Sequence, residues 1–419
     1  MLVACALTVP AEGPAASLGE ATRTEPTVVL VSLDGFRWDY LDLVRPPNLL
    51  RIAKRGVRAE GLIPVFPSKT FPAHYTIVTG LYPGHHGIVS NDMRDPEIED
   101  EFHLSNRKAV EDPRWWGGEP IWATAEKHGL TSAAMFWPGS EAPVGGTQPT
   151  YWHRYDGGVS YRERVDQVLA WLDLPPSERP RMVTLYFGDP NETSHRWGPT
   201  APQTFEAVRE VDARLGDLVH GIEERGLTAS VNLVVVSDHG MADVVADQVV
   251  FLDDYVELKR GELFQQGALV QIFPRPGRLE SIYNGLKDAH PRLAVYRPDD
   301  VPERYKLARH RRLPPILAVP DVGWEAFTRV RWAVQWATLK GDHGQDPSDP
   351  AMHGLFVAAG PAFLQDVRVE RFESVEIYNL LATALGIEPA PNDGRLERVE
   401  HLLVESLRPA AAAGASSER

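Results

Sequence analysis

The sequence predicts an α/β fold: a mostly parallel sheet flanked by helices on both faces, with a smaller inserted cap subdomain. Three observations lead there. Short, nearly continuous apolar runs recur along the chain, amphipathic helical patterns lie between them, and several runs close on residues able to hold a metal or a phosphate. A strand covered on both faces reads as a continuous apolar run, and strand–helix alternation gives parallel pairing. In such sheets, ligands bind outside the carboxyl ends of the strands.

The strand-like runs are residues 28–33 before Asp34, 132–137, 182–187, 233–236 before Asp238, and 355–359 before Gly360. The helical patterns cover 47–55, 161–172, 203–225 and 373–385. From 247 to 340 the rhythm breaks: the segment is rich in Pro, Arg and Asp, and its only clear strand-like run is 268–273. It reads as the inserted or capping part of a catalytic domain spanning 27–407, preceded by a leader over 1–26 and followed by a low-complexity, disordered tail over 408–419. No internal repeat is present.

With 419 residues, 43% hydrophobic and 24% charged, the chain has the composition of a globular protein with a large core. The formal net charge of −15 argues against binding a nucleic-acid duplex, which needs Lys and Arg to displace counterions. It leaves room for a small anionic substrate, because bound metal ions invert the local field. The single cysteine, Cys5, excludes an intramolecular disulfide framework. It ends the run MLVAC, which resembles the close of a bacterial lipoprotein signal; the plain alternative is an unstructured leader. Together with the abundance of Arg, Pro and Trp, this suggests a bacterial protein, periplasmic or secreted, and anchored to a membrane if Cys5 is lipidated.

The chemistry-bearing residues follow the strands. Asp34 ends one apolar run, and Asp238 and His239 end another within SDHGM. Carboxylate oxygen and imidazole nitrogen are the donors zinc takes in catalytic sites. A lone Asp after a strand more often caps a turn or helix; recurrence at several strand ends favours ligation. His195 in NETSHRWGP and His343 in GDHGQD sit on loops stiffened by Gly or Pro. A solitary histidine among the chain's 14 reads as a surface residue, and His74, His85, His86 and His353 are assigned there. Two clusters of donors suit a paired-metal site for in-line displacement at phosphorus. Thr70, in FPSKTFPAHYTIVTG, precedes an apolar helical stretch. Such a residue is usually an N-cap, but a helix N-terminus also attracts phosphate, and metal coordination turns a hydroxyl into a nucleophile. Lys69 beside it could draw anions or be a solvated surface charge.

The segments VSLDGFRWDYL, FPSKTFPAHYTIVTGLYPGHHGIVSNDM, FWPGS, VSDHGM, GDHGQD, FVAAGPAF and VEIYNLLATALGIEPAPNDG together resemble the nucleotide pyrophosphatase/phosphodiesterase family of the alkaline phosphatase superfamily. The similarity runs from Thr27 to His401. The resemblance implies hydrolysis of nucleotide-like phosphodiester or pyrophosphate bonds by two zinc ions and a covalent phospho-threonine. It implies one zinc held by Asp34, Thr70, Asp238 and His239, and another held by His195, His343 and the residue four before His195. It further implies Asn91 on a phosphate oxygen, and Phe71 and Tyr155 stacking a nucleobase, although ordinary packing explains both aromatics.

One position departs from the family pattern: relatives carry Asp where this chain has Asn191. An amide oxygen ligates zinc without bringing charge. The position is either natural as Asn, altered to weaken turnover, or replaced in function by Asp189 or Glu192, with Asp189 favoured by strand alternation. Three other readings compete: a phosphomonoesterase, a phospholipid-headgroup diesterase, or a catalytically impaired zinc-site binding protein. A sulfatase would need Cys or Ser in place of Thr70, and the only cysteine is Cys5.

Overall fold

The computed structural model describes residues 25–307 and 309–409. Cys5 and most of the leader and tail lie outside them. An eight-stranded sheet forms the centre, in the spatial order Val367–Val369, Val57–Ala59, Phe356–Ala359, Val231–Val236, Thr27–Leu33, Met182–Phe187, Ser132–Met135, Tyr151–Trp152. Every pairing is parallel except those of Phe356–Ala359, which runs against both its neighbours. The mostly parallel sheet expected from the sequence is present, with strand bounds within a few residues of the apolar runs.

Side-chain alternation divides this sheet between two cores. Val28, Leu30, Val234 and Val236 join one core with the helices Thr70–Thr79, Ile121–Lys127 and Ile377–Leu385. Val29, Val31 and Leu33, with Val183, Leu185, Leu233 and Val235 from the flanking strands, join the other. The helices Pro47–Lys54, Tyr161–Leu172 and Pro202–Glu224 cover that second face. A strand that must satisfy apolar neighbours on both sides cannot carry a polar face, which is why these runs read as continuous. Burial of both faces also fixes register, since a one-residue slip would exchange the two cores.

The parallel central strands all deliver their C-terminal ends to one edge. Asp34 follows Thr27–Leu33, Asp238 and His239 follow Val231–Val236, and Met182–Phe187 leads into the short helix Asn191–Trp197. Thr70 opens the helix Thr70–Thr79, which ends on Gly80 in the left-handed conformation.

Between 247 and 340 the structure contains more strand than the single run expected. A four-stranded antiparallel sheet orders Leu263–Gln265, Val270–Ile272, Ile316–Pro320 and Leu293–Tyr296, and Val249–Phe251 pairs with Glu325–Phe327. Most of these strands are only three or four residues long and several are partly exposed, so those sequences lack the unbroken apolar signature; Ile316–Pro320, buried throughout, carries it and is not among the expected strands. Their small core includes Val270, Ile272, Ile282, Leu286 and Ile316.

Arg312 ties this region to the main body. Its Nε donates to Asp95 Oδ2 at 2.5 Å, and its Nη1 donates to the carbonyls of Gly87 at 2.7 Å and Trp115 at 2.6 Å. Both side chains are buried. Asp95→Ala would leave a buried guanidinium without its counter-charge, at an expected cost of about 3 kcal/mol. Urea denaturation checks this; a loss below about 1 kcal/mol would mean that the carbonyls alone satisfy Arg312.

Candidate functional site

Three buried groups converge at the ends of the two central strands. His239 Nε2 lies 2.9 Å from Asp238 Oδ2 and 3.5 Å from Asp34 Oδ1. None of these three atoms has a hydrogen-bond partner, although all are buried. His239 Nδ1 lies 2.8 Å from the Gly240 carbonyl, which can only accept, so a ring hydrogen sits there and the neutral ring presents its lone pair at Nε2. Two carboxylate oxygens and a lone pair around one point repel each other unless a cation or a proton joins them. Burial, and then the nearby Asp238, push the Asp34 carboxyl up to about 7. Burial alone would also raise Asp238, but His239 and His74 hold it below the usual carboxylate range.

A second group combines His195, Asp342 and His343, with a ligand atom from each lying within 4.8 Å of the others. His195 Nδ1 is 2.8 Å from the Gly341 carbonyl, and His343 Nδ1 is 2.7 Å from the Ser68 carbonyl. Each ring therefore donates through Nδ1 and leaves Nε2 free, the arrangement in which an outer hydrogen bond fixes a metal-ligating imidazole. Burial lowers the proton affinity of both, most strongly for His343, which also faces His239 and Lys69. The His239 and His343 rings stack with centroids 3.5 Å apart, so the two groups are contiguous.

The residues fit a metal pair. Orphaned acceptors, neutral imidazoles and buried carboxylates are the donor set zinc takes, and the ligand spacing of the first group suits bonds of about 2.0–2.2 Å.

A cavity of about 440 Å³ opens over the second group, lined by Lys69, Thr70, Asn91, Asn191, His195 and His343 among others. A larger one, about 650 Å³, lies at the opposite end of the strands beside Arg51, Val231 and Gly360. No metal-ligating group of three occurs there among the described residues. Thr70 is the first residue of its helix, and no side-chain cap forms at that terminus. Asn91 Oδ1 accepts from the Phe71 N–H at 2.9 Å, which leaves the Asn91 amide hydrogens for the cavity. Asn191 Oδ1 is buried without a hydrogen-bond partner, and the Asn191 N–H donates to the Asp34 carbonyl at 2.9 Å. Gly35 makes this approach possible: at φ +65°, a Cβ on it would stand 2.8 Å from Asn191 Cβ.

The expected residues are not all in one place. Phe71 packs on Phe102 and Trp116, with centroids 5.8 and 5.9 Å away. Tyr155 packs on Phe136 at 5.1 Å and lines a neighbouring cavity of about 330 Å³ with Asp189 and Glu192. Asp189 is turned away from the histidines: Oδ2 accepts from the Tyr161 hydroxyl at 3.0 Å and Oδ1 from the Thr193 hydroxyl at 2.7 Å.

Several participants escape a reading of the sequence. His74 is fully buried, with Nδ1 donating to the Thr70 carbonyl at 2.8 Å and Nε2 2.7 Å from Ser32 Oγ. His86 and His353 are buried as well, so the surface assignment fails for three of the four histidines left there. His74 follows Thr70 by four residues, one helical turn, and that spacing could have found it. Tyr186 donates its hydroxyl to Asp34 Oδ2 at 2.7 Å. Lys69 is no solvated charge: it is buried, with Nζ 3.1 Å from Asp342 Oδ1. Asp342 repeats, beside His343, the Asp–His pair already evident at Asp238 and His239.

Residues 28–346 match the family model for type I phosphodiesterase / nucleotide pyrophosphatase. The chain belongs to this family. Human ectonucleotide pyrophosphatase/phosphodiesterase family member 5 is 36% identical over 377 residues, covering 90% of this chain and 78% of that protein. Bovine family member 3 is also 36% identical, over 389 residues, but this chain spans only 44% of its length. Among solved structures, murine ectonucleotide pyrophosphatase/phosphodiesterase 5 matches with a TM-score of 0.85 and 35% identity, covering 91% of this chain and all of that one. That structure is of an inactive threonine-to-alanine variant in complex with AMP.

Membership in the phosphodiesterase family corrects one expectation. The relatives come from mammals, snakes and fission yeast, which overturns the reading of a bacterial, periplasmic or lipid-anchored protein. Cys5 itself lies outside the described residues. Among those described, no helix is long and apolar enough to cross a membrane.

Proposed function

We propose that this chain hydrolyses nucleotide-like phosphodiester or pyrophosphate bonds with two zinc ions and Thr70 as the nucleophile. The observation that carries the reading is the pair of contiguous ligand groups beside Thr70, with unpartnered atoms of Asp34, Asp238 and His239 aimed at a common point. The AMP bound to the murine relative supports a nucleotide substrate. Residues 27–407 would form the catalytic unit, with 247–340 as its cap; Gln265 of that segment accepts from the Ser90 hydroxyl at 3.0 Å beside the cavity.

Asp34, Asp238, His239 and Thr70 would hold one ion; His195 and His343, with Asn191 beside them, would hold the other. When bound, the ions supply positive charge that lowers the pKa of the threonine hydroxyl and offsets charge on the phosphoryl oxygens. Thr70 Oγ then forms a bond to phosphorus as the bond to the leaving group breaks on the opposite side. Water afterwards cleaves the phospho-threonine, returning the hydroxyl and releasing the nucleotide. Asn91, oriented by its bond to the Phe71 N–H, donates to a non-bridging oxygen. His74 is a positioning residue, since it reaches the reaction only through the Thr70 carbonyl and Asp238.

The test is hydrolysis of a p-nitrophenyl nucleotide ester at saturating zinc. Release of p-nitrophenol that is lost on chelation and restored by zinc is expected. Nucleotide binding without turnover at any zinc concentration would favour a binding protein instead.

A further inference from the structure

The second ligand group poses a charge problem. If Asn191 rather than Asp342 completed it, its side chains would be an amide and two neutral imidazoles, with no anion among them. A buried divalent ion held only by neutral donors is poorly compensated. The acids proposed from the sequence do not help, because Asp189 is spent on Tyr161 and Thr193, and Glu192 faces the neighbouring cavity.

We propose that Asp342, rather than Asn191, is the anionic ligand of the second centre, and that Lys69 is the internal cation the metal displaces from it. The inference rests on the two-metal reading above. Asp342 is 8% exposed, and its carboxylate lies within 4.8 Å of ligand nitrogens on both His195 and His343. Its Oδ1 accepts from Lys69 Nζ at 3.1 Å and from the His343 N–H at 2.7 Å. Lys69 reaches it by crossing Gly344, where a Cβ would stand 2.3 Å from Lys69 Cε and φ is +125°. The lysine thus passes through space that any larger residue would fill.

An ammonium and a divalent ion on one carboxylate repel each other. Without metal, Lys69 compensates Asp342; with metal, the lysine is released into the cavity it lines beside Thr70. Its charge then becomes available to an incoming phosphate, so metal loading and phosphate attraction are coupled through one carboxylate.

The full-length chain, stripped of metal, is titrated with Zn²⁺ by calorimetry and with Co²⁺ by absorption spectroscopy. The unmodified chain is expected to bind two ions. Asp342→Asn should keep the first and weaken the second by at least ~10-fold, with a changed Co²⁺ spectrum for that ion. Asn191→Asp in that background should restore the affinity, and Lys69→Met alone should strengthen the second site. Because Asp342→Asn removes the carboxylate that Lys69 donates to, the Asp342→Asn/Lys69→Met double variant is titrated alongside and should show the same weakened second site. A second ion bound by the double variant with unchanged affinity and spectrum would overturn the inference while leaving the two-metal reading intact. Fewer than two ions on the unmodified chain would overturn both.

Discussion

Thr70→Ala is expected to lower kcat on a p-nitrophenyl nucleotide ester by at least ~10³-fold, equivalent to about 4 kcal/mol of transition-state stabilisation. The variant removes the only atom that can form the covalent intermediate, so the loss should fall on kcat rather than on nucleotide binding. The helix Thr70–Thr79 should survive, because the threonine side chain makes no cap at its terminus and alanine is the better helix former. Unchanged thermal unfolding and retained AMP binding would establish that the fold and pocket are intact. Mass spectrometry of quenched unmodified enzyme should show a phosphoryl group on Thr70, absent from the variant. Turnover within tenfold of the unmodified chain would mean that water attacks phosphorus directly and Thr70 only positions a ligand.

Metal removal should have the second large effect, on stability as well as activity. Without a cation, the buried carboxylates of Asp34 and Asp238 converge with only His239 and His74 to offset their charge. An ion bound only by the native state stabilises it by RT ln(1 + [L]/Kd), on the order of 4 kcal/mol at a thousandfold excess over Kd. Chelation is therefore expected to abolish turnover and lower the Tm by several degrees, and zinc should restore both. His239→Ala should remove the first ion and make the Tm insensitive to it. A Tm unaffected by chelation in the unmodified chain would mean that the buried carboxylates are neutralised by protons, not by metal.

Much of the frame is legible in the chain because its physics is local. Continuous apolar runs ending at Asp34 and Asp238 announce strands buried on both faces, and the structure puts both residues at one edge of the sheet. Several of the short strands between 249 and 327 are partly exposed and leave no continuous run, whereas the buried strand Ile316–Pro320 does carry one that sequence reasoning misses. Asn91 and Asn191 come from the family resemblance, and no rule of spacing would select either. His74, His86 and His353 are misplaced by sequence reasoning because burial of a polar ring depends on its partners in the fold: Ser32 for His74, Thr76 for His86, and the Pro347 carbonyl for His353.

Strand periodicity and donor chemistry are carried by neighbouring residues, so the sheet, the edge at which ligands gather and the identity of most candidate donors can be read along the chain. Which carboxylate accompanies which histidine is a matter of long-range packing. Asp189 is four residues from Thr193 and turns to it, whereas Asp342 lies 273 residues from Lys69 and is held against it. Strand alternation favours Asp189 as the partner of His195; the fold brings Asp342 there instead. A charge in a protein interior is governed by what lies within a few ångströms of it, and that distance is set by the closure of the whole sheet rather than by any segment of the chain.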